Sequence, residues 1–148
     1  MKGDGFDALR LDNQLCFPLY ACARAVTRRY KPCLDAIGLT YTQYITMLVL
    51  WERRQATSKL LGERLYLDSG TLTPVLKKLE EKGLVTRARD ACDERNLMVT
   101  LTDRGEALRA AAAEIPGKMT ACIPLDSGDA MALYKILHKI LDKTGLLR

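Results

Sequence analysis

The most informative stretch of the 148-residue chain is Asp68-Ser69-Gly70-Thr71-Leu72-Thr73-Pro74-Val75-Leu76-Lys77-Lys78-Leu79-Glu80-Glu81-Lys82-Gly83. Its large apolar residues fall at i, i+3, i+4 and i+7, a spacing that predicts one buried face of an amphipathic helix. Gly83 stands just beyond the last of them, where a left-handed C-cap residue is expected. Pro74, taken alone, favours a helix that begins at Thr73 with proline at its first position. The apolar residues of this face are Leu72, Val75, Leu76 and Leu79.

The opposite face of this helix carries small hydroxyl groups first and lysines later. A face that is merely solvated usually mixes Glu and Lys throughout, whereas small side chains followed by lysines suit close approach to base edges and phosphates. By itself the stretch is equally compatible with an ordinary surface helix. The residues of this face predicted to contact DNA are Ser69, Gly70, Thr71, Thr73, Pro74, Lys77 and Lys78.

The sequence before this helix predicts a helix-turn-helix. After a polar break at residues 52–55, Thr57 or Ser58 supplies the cap of a short helix. The turn at 66–68 is brief, so two short helices follow each other closely, which is the arrangement of a helix-turn-helix. The apolar residues of the first helix are Leu60, Leu61 and Leu65.

The second helix of the helix-turn-helix, whose outer face is predicted to contact DNA, is called the recognition helix below. The sequence that follows it predicts a wing, which is a β-hairpin beside that helix. Residues 84–89 and 96–101 alternate between apolar and polar side chains, as strands do. Arg87 in the first strand and Arg95 at the tip are predicted to contact DNA, because arginine enters the negative potential of a narrow minor groove. Asp93 is predicted to support the wing. An ion pair of Arg95 with Asp93 or Glu94, which would stiffen the loop, is the simplest structural alternative to a DNA contact and is also compatible with one.

Helical spacing also predicts a long helix from about residue 11 to 34. Asp12 or Asn13 can serve as its N-cap. Pro18 lies beyond the first turn of a helix capped there, and it removes a backbone donor. The helix therefore either bends at Pro18 or begins later, near Cys16.

Two further caps and a break divide the rest of the chain. Thr40 and Gln43 have the spacing of a capping box, and the helix they open is apolar on nearly all sides, as a central core helix is. Thr102 can cap a helix after the wing, Pro116-Gly117 interrupts it, and a last apolar helix spans about 130–143. The predicted fold is mainly α with a small β-hairpin wing, a winged helix-turn-helix.

The two ends of the chain hold more apolar surface than a compact winged domain needs. We expect residues 1–148 to form one domain, with dimerisation helices at about 11–36 and 103–146 and a DNA-binding core at about 40–101, including the wing near 85–101. A two-fold homodimer presents two recognition helices to successive major grooves about 34–36 Å apart. The expected partner is therefore pseudo-palindromic, double-stranded operator DNA.

Composition narrows the class of protein. The net charge of +5 and the isoelectric point of about 9.0 are compatible with a nucleic-acid partner. The five cysteines are unevenly spaced without a C-x-x-C pair, which argues against a structural zinc site and against a disulfide-stapled secreted fold. We expect no metal, no cofactor, no membrane span and a cytoplasmic location. With His138 as the single histidine, an enzyme is not expected.

Several strings resemble the MarR family of dimeric winged-helix regulators and, within it, the organic-hydroperoxide-sensing repressors (OhrR). The similarity extends from about residue 11 to 117. The resemblance implies a repressor that binds operator DNA as a homodimer and releases it when organic hydroperoxides oxidise a cysteine. It also implies that the recognition helix begins near Ser69, with Pro74 inside its first turns. The most specific strings are Asn13-Gln14-Leu15-Cys16-Phe17 and Tyr66-Leu67-Asp68-Ser69-Gly70-Thr71-Leu72-Thr73-Pro74.

The resemblance implies roles for individual residues. Cys16 matches the peroxide-sensing cysteine, and Tyr30 and Tyr41 match two tyrosines that hydrogen-bond its sulfur across the dimer. Oxidised Cys16 is expected either to pair with a second cysteine near the C-terminus, for which Cys122 is the candidate by location, or to form a mixed disulfide with a small thiol. Cys22 lies about 9 Å further along the same helix, too far for a disulfide. Side chains expected to line an apolar pocket for the peroxide are Phe17, Leu19, Tyr20 and Met47.

Other functions fit the same sequence. A regulator of this fold can be released by a small phenolic or aromatic ligand, with Cys16 merely packed in the cleft. A thiol peroxidase would use Cys16 repeatedly, although the sequence offers no C-x-x-C pair for turnover. An architectural protein would bind DNA without sequence preference.

Overall fold

The computed structural model describes residues 6–89 and 96–143 of the chain. Within these ranges the chain is mainly helical and carries a small antiparallel sheet, which confirms the predicted winged helix-turn-helix. The helices are α1 (Cys16–Ala36), α2 (Tyr41–Arg53), α3 (Ser58–Leu65), α4 (Ser69–Glu81), α5 (Asp103–Ala112), α6 (Ile115–Cys122) and α7 (Ser127–Lys143). The strands are β1 (Gln55–Thr57), β2 (Val85–Arg89) and β3 (Leu97–Leu101).

The core is built around α2, as predicted. Met47 is completely buried in it, and α2 contacts α1, α3, α4 and α5. The predicted capping box is present: the Thr40 hydroxyl accepts from the Gln43 N–H at 3.3 Å, and the Gln43 side chain accepts from the Thr40 N–H at 3.1 Å. At the other end of α2, the indole N–H of Trp51 donates to the Gly105 carbonyl at 2.9 Å. α2 thus holds both the helix-turn-helix and α5.

The sheet has the strand order β1-β3-β2 and is antiparallel throughout. In the wing, Val85 pairs with Leu101 and Arg89 with Leu97, which confirms the predicted hairpin. β1 is missing from the prediction, which has only a polar break at 52–55. Three residues are too few to show an alternating pattern, and β1 forms because it pairs with the distant strand β3.

α1 begins at Cys16, so the later of the two predicted starts is correct. Its N-cap residue is Leu15, and no side chain caps it, so the predicted cap at Asp12 or Asn13 is wrong. The later start explains Pro18, which then lies in the first turn. Backbone N–H groups there have no intrahelical acceptor, and proline removes no hydrogen bond.

The lead-in to α1 is ordered by side chains that bond to the backbone. The Asn13 amide donates to the Asp7 carbonyl at 2.8 Å, and the Gln14 amide donates to the Ala8 carbonyl at 2.6 Å. The two residues that precede Leu15 and Cys16 in the specific string therefore fix the chain just before the cysteine. These bonds hold two 3₁₀ turns, Asp7–Leu9 and Leu11–Asn13.

Helices α5, α6 and α7 follow the wing, where only two helices are predicted. Thr102 caps α5 as predicted, accepting from the Gly105 N–H at 3.0 Å. The break falls at 113–114, and Pro116-Gly117 lies inside α6 because proline fits the first turn of a helix. α7 begins at Ser127, earlier than predicted.

Much apolar surface is exposed on α7 and near the start of α1. No residue of α7 is buried within the single chain. Exposed apolar surface of this extent marks a protein–protein interface, as expected for a homodimer. The division into dimerisation and DNA-binding segments stays a prediction. Among the described helices, none alone is long and apolar enough to cross a membrane, and α1 with α2 meets that test only as a pair bent by 72°. The exposed side chains include Leu11, Leu15, Phe17, Leu19, Met131, Leu133, Tyr134, Ile136 and Ile140.

Candidate redox-sensing and DNA-binding sites

α4 begins at Ser69 with Pro74 inside it, as the resemblance implies, so a start at Thr73 is wrong. Asp68 is the N-cap: one carboxylate oxygen accepts from the Thr71 N–H at 2.8 Å, and the other accepts from the Thr71 hydroxyl at 3.0 Å. These two hydrogen bonds lower the pKa of Asp68. The inner face of the helix packs into the core through the buried side chains of Leu72, Leu76 and Leu79.

The outer face of α4 is open to a partner. Every residue of this helix predicted to contact DNA is exposed. Small groups and backbone N–H groups lie at its N-terminal end, and two positive charges follow towards the C-terminal end. The N-terminal groups are suited to hydrogen-bond base edges, and the lysines are suited to bind phosphates, as expected of a recognition helix. These exposed residues are Ser69, Gly70, Thr71, Thr73, Pro74, Lys77 and Lys78.

Arg87 lies on β2 and binds back to α4. Its guanidinium donates to one carboxylate oxygen of Glu80 at 2.7 and 2.9 Å, and the backbone N–H of Arg87 donates to the other oxygen at 3.0 Å. The Arg87 side chain is only 22% exposed. Its side-chain hydrogen bonds lower the pKa of Glu80. The guanidinium predicted to reach DNA is therefore engaged within the chain, where it joins the recognition helix to the wing.

The predicted wing-tip residues Arg95 and Asp93 lie outside the described residues. Arg89, the last described residue of β2, is exposed. In the described part of the wing, Arg89 is therefore an exposed arginine available to a partner.

Cys16 is the first residue of α1, and it is exposed. No side chain caps this helix, and no acidic residue lies in its first turn. Free backbone N–H groups and the helix dipole therefore favour a negative charge at this position. Only the thiolate attacks a peroxide oxygen, so the position and the exposure of Cys16 both suit the predicted chemistry.

Tyr30 and Tyr41 lie side by side, with ring centroids 5.0 Å apart in edge-to-face geometry. Tyr44 lies 5.9 Å from Tyr30 and extends the cluster towards the core. Burial raises the pKa of all three tyrosines, and neighbouring phenols raise the pKa of Tyr30 and Tyr44 further. Each phenol therefore stays protonated at neutral pH and can donate a hydrogen bond. Tyr44 was not predicted as part of the site, because its position in the sequence is that of a core residue.

The thiol and the phenols lie towards opposite ends of α1. Tyr30 follows Cys16 by about 21 Å of helix rise. Tyr41 packs against Tyr30 and is similarly remote. The predicted hydrogen bonds between this sulfur and these phenols therefore require a second copy of the chain.

An open groove of about 730 Å³ runs along α1 and reaches Tyr41. Phe17 and Tyr20 line it, as predicted. Met47 does not, because its side chain is 0% exposed in the core, so its predicted place in a pocket is wrong. Leu19 is exposed but does not line the groove either.

Cys122 ends α6 and is exposed. α6 packs against α1. The pKa of Lys118 is raised mainly by its hydrogen bond to Glu114, and the nearby Cys33 adds to the effect. That proximity places α6 beside the C-terminal half of α1, the half that carries Tyr30. Within residues 6–89 and 96–143, no group of three histidine, cysteine or acidic side chains is placed to hold a metal ion.

Known proteins are similar to this chain in both sequence and fold. Residues 28–111 match the family model described as transcriptional regulator SarA/Rot. The chain is 46% identical over 137 residues to the organic hydroperoxide resistance transcriptional regulator of Bacillus subtilis (strain 168), and the match covers 93% of each protein. The chain belongs to the MarR family of winged-helix transcriptional regulators. The resemblance noted in the sequence is thereby confirmed.

Solved MarR-family structures cover nearly the whole chain. Reduced AbfR of Staphylococcus epidermidis bound to DNA is 38% identical, with a TM-score of 0.76 over 92% of this chain and 94% of that one. Over-oxidised AbfR bound to DNA has the same identity and TM-score, over 92% and 96% of the two chains. Disulfide-formed AbfR is 38% identical, with a TM-score of 0.65 over 91% and 95%. The present chain is thus more similar in shape to the DNA-bound forms of AbfR than to its disulfide form.

Proposed function

We propose that this protein is a homodimeric repressor that binds operator DNA through α4 and the wing and releases it when an organic hydroperoxide oxidises Cys16. The observation that carries the proposal is the exposed thiol of Cys16 at the start of α1, in a chain 46% identical to an organic hydroperoxide resistance regulator. A repressor acts at the chromosome, so its place is the cytoplasm.

Each sensing site is shared by two subunits. Cys16 and Tyr30 are too far apart within one chain to contact each other. An antiparallel pairing of α1 with its copy in the dimer brings Cys16 of one subunit to the tyrosine end of α1 in the other. Tyr30 of the partner subunit and Tyr41 of the partner subunit then donate to the sulfur. Because these phenols hold their protons, they stabilise a thiolate instead of repelling it. The exposed apolar residues near the start of α1 supply surface for this pairing.

Oxidation of Cys16 is a two-electron reaction. The thiolate attacks an oxygen of the hydroperoxide, the O–O bond breaks, and the alkoxide leaves as an alcohol after taking a proton, so that Cys16 becomes a sulfenic acid. Cys122 of the partner subunit then attacks the Cys16 sulfur, which gives a disulfide and releases water. Cys122 suits this role because it is an exposed thiol at the end of α6, the helix that packs against α1. A small cellular thiol is the alternative second reactant.

The DNA-binding surface follows from the exposed face of α4. Its small N-terminal residues meet base edges in the major groove, and Lys77 and Lys78 meet phosphates. Arg95 extends the contact into the minor groove. The two-fold dimer repeats these contacts on a pseudo-palindromic operator, with half-sites about 34–36 Å apart.

Operator release tests the sensor. We expect the wild type to lose affinity for an operator duplex, selected with the reduced protein, after one equivalent of cumene hydroperoxide. Cys16→Ser should stay bound. Cys22→Ser is the matched control, because Cys22 is also an exposed thiol of α1 and its loss should leave release intact. If Cys16→Ser is released as readily as the wild type, the sensor assignment is wrong.

Mass spectrometry of the same samples separates the remaining alternatives. A linked dimer through Cys16 and Cys122 identifies the disulfide route, and a small-thiol adduct on Cys16 identifies the other. Release by a phenolic compound, with no mass change at Cys16, would indicate a ligand-responsive regulator. Peroxide consumption well beyond one equivalent per subunit, with reductant present, would indicate a thiol peroxidase. Equal affinity for operator and random DNA at one salt concentration would indicate an architectural protein.

A further inference from the structure

The C-terminal end of α4 is attached to the corner between α1 and α2. The ammonium of Lys82, the C-cap residue of α4, donates to the Gly38 carbonyl at 2.5 Å and to the side-chain oxygen of Gln43 at 2.8 Å. Gln43 is 3% exposed and completes the capping box of α2 with Thr40. Lys82 therefore reaches from the recognition helix to the first turn of α2.

That first turn also carries one of the sensing tyrosines. Tyr41 is the first residue of α2, lies within the capping box, and packs against Tyr30. A displacement of Tyr41 moves the backbone that holds Gln43, and with it the acceptor of the ammonium. Glu80 of α4 also binds Arg87 of β2, so hydrogen bonds join the recognition helix to the wing.

We propose that Lys82 is a positioning residue that couples the redox state of Cys16 to the orientation of α4. The inference rests on the proposed function, because oxidation must change what the phenols of Tyr30 and Tyr41 contact. Among the described residues, no other hydrogen bond or ion pair joins α4 to the α1–α2 corner. Both bonds have a charged donor, which makes them shorter and stronger than neutral ones. Through Lys82, a movement of the α1–α2 corner is transmitted to the C-terminal end of α4.

The test compares operator affinity in two redox states. For each variant, the dissociation constant of the oxidised dimer is divided by that of the reduced dimer, which gives a release ratio. In Lys82→Met the stem remains and the donors are lost, and we expect the release ratio to fall about tenfold. Lys78→Met is the matched control, because it removes the same charge from the same helix without touching the corner. It should weaken both redox states alike and leave the ratio unchanged.

Each outcome has a distinct meaning. Mass spectrometry verifies that Cys16 is oxidised to the same extent in all variants. If Lys82→Met lowers Tm or both affinities but keeps the wild-type ratio, Lys82 only supports the fold, and the coupling role is overturned while the sensor stands. An equal fall of the ratio in Lys78→Met also overturns it, because charge and not the bond would then matter. A wild-type protein that is not released by the hydroperoxide overturns both the coupling and the proposed function.

Discussion

Replacing Gly105 with alanine tests how α5 packs against the start of the wing. Gly105 lies in the first turn of α5 and is buried. A Cβ atom added there would lie 2.2 Å from the Leu84 carbonyl oxygen and 2.7 Å from the Leu101 side chain. The Leu84 carbonyl is itself fixed, because it accepts from the Thr102 N–H at 3.1 Å. The carbonyl of Gly105 is fixed too, by the indole of Trp51. Neither backbone can move away without losing a hydrogen bond.

The size of the effect follows from two opposing contributions. Overpacking against fixed backbone costs about 3 kcal/mol, whereas alanine is better than glycine in a helix by about 1 kcal/mol. The free energy of unfolding should therefore fall by about 2 kcal/mol, which lowers Tm by about 4–8 °C for a chain of this size.

Thermal and urea denaturation measure this change, at equal protomer concentration because the stability of a dimer depends on it. Gly117→Ala is the matched control, since Gly117 occupies the same position in α6 and an added Cβ meets no atom within 4 Å. The control should gain up to about 1 kcal/mol. If Gly105→Ala is as stable as Gly117→Ala, the close approach of α5 to the wing is refuted.

Three further predictions concern the two sites. Because Arg87 joins the wing to α4, Glu80→Gln should weaken operator binding as Arg87→Gln does. Tighter binding by Glu80→Gln, measured at several salt concentrations, would instead indicate that Arg87 contacts phosphate. The lowered pKa of Asp68 means that its cap stabilises the fold above the ordinary carboxyl pKa and loses that contribution as pH falls through the lower folded value. Asp68→Asn should thus be less stable than the wild type at pH 7 and converge with it in acid, as measured by urea denaturation. Cys122→Ser should form no linked dimer on non-reducing gels after peroxide treatment, while Cys16 still reaches the sulfenic acid trapped by dimedone.

Three of the helix starts that the sequence predicts correctly are set by local hydrogen bonds. Thr40, Thr57 and Thr102 each accept from an N–H three residues later, so both partners lie within one short string. One element that the sequence does not predict depends on a distant partner, because β1 forms by pairing with β3. The separation of α5 from α6 is missed for a local reason, because Pro116-Gly117 can begin a helix as well as break one.

In the candidate sites, too, features set by a local pattern could be predicted, whereas contacts between distant residues could not. The exposed face of α4 could be predicted from periodicity, whereas the sensing role assigned to Cys16 from its string stays a prediction. Met47 was misplaced because a helix that is apolar on all sides gives no direction to its residues. The bonds of Arg87 to Glu80 and of Lys82 to Gln43 join side chains on different elements, where no periodic pattern applies.

Two defective chains can restore each other when a sensing site is shared between subunits. A Cys16→Ser chain lacks the thiol but keeps both phenols, whereas a chain with Tyr30→Phe and Tyr41→Phe keeps the thiol and lacks the phenols. In their heterodimer, one site has lost both parts and the other is complete. Two alleles that are each insensitive to peroxide would therefore respond when expressed together. On the proposed shared site, the length of α1 between Cys16 and Tyr30 predicts intragenic complementation, which a sensor contained within one chain would not show.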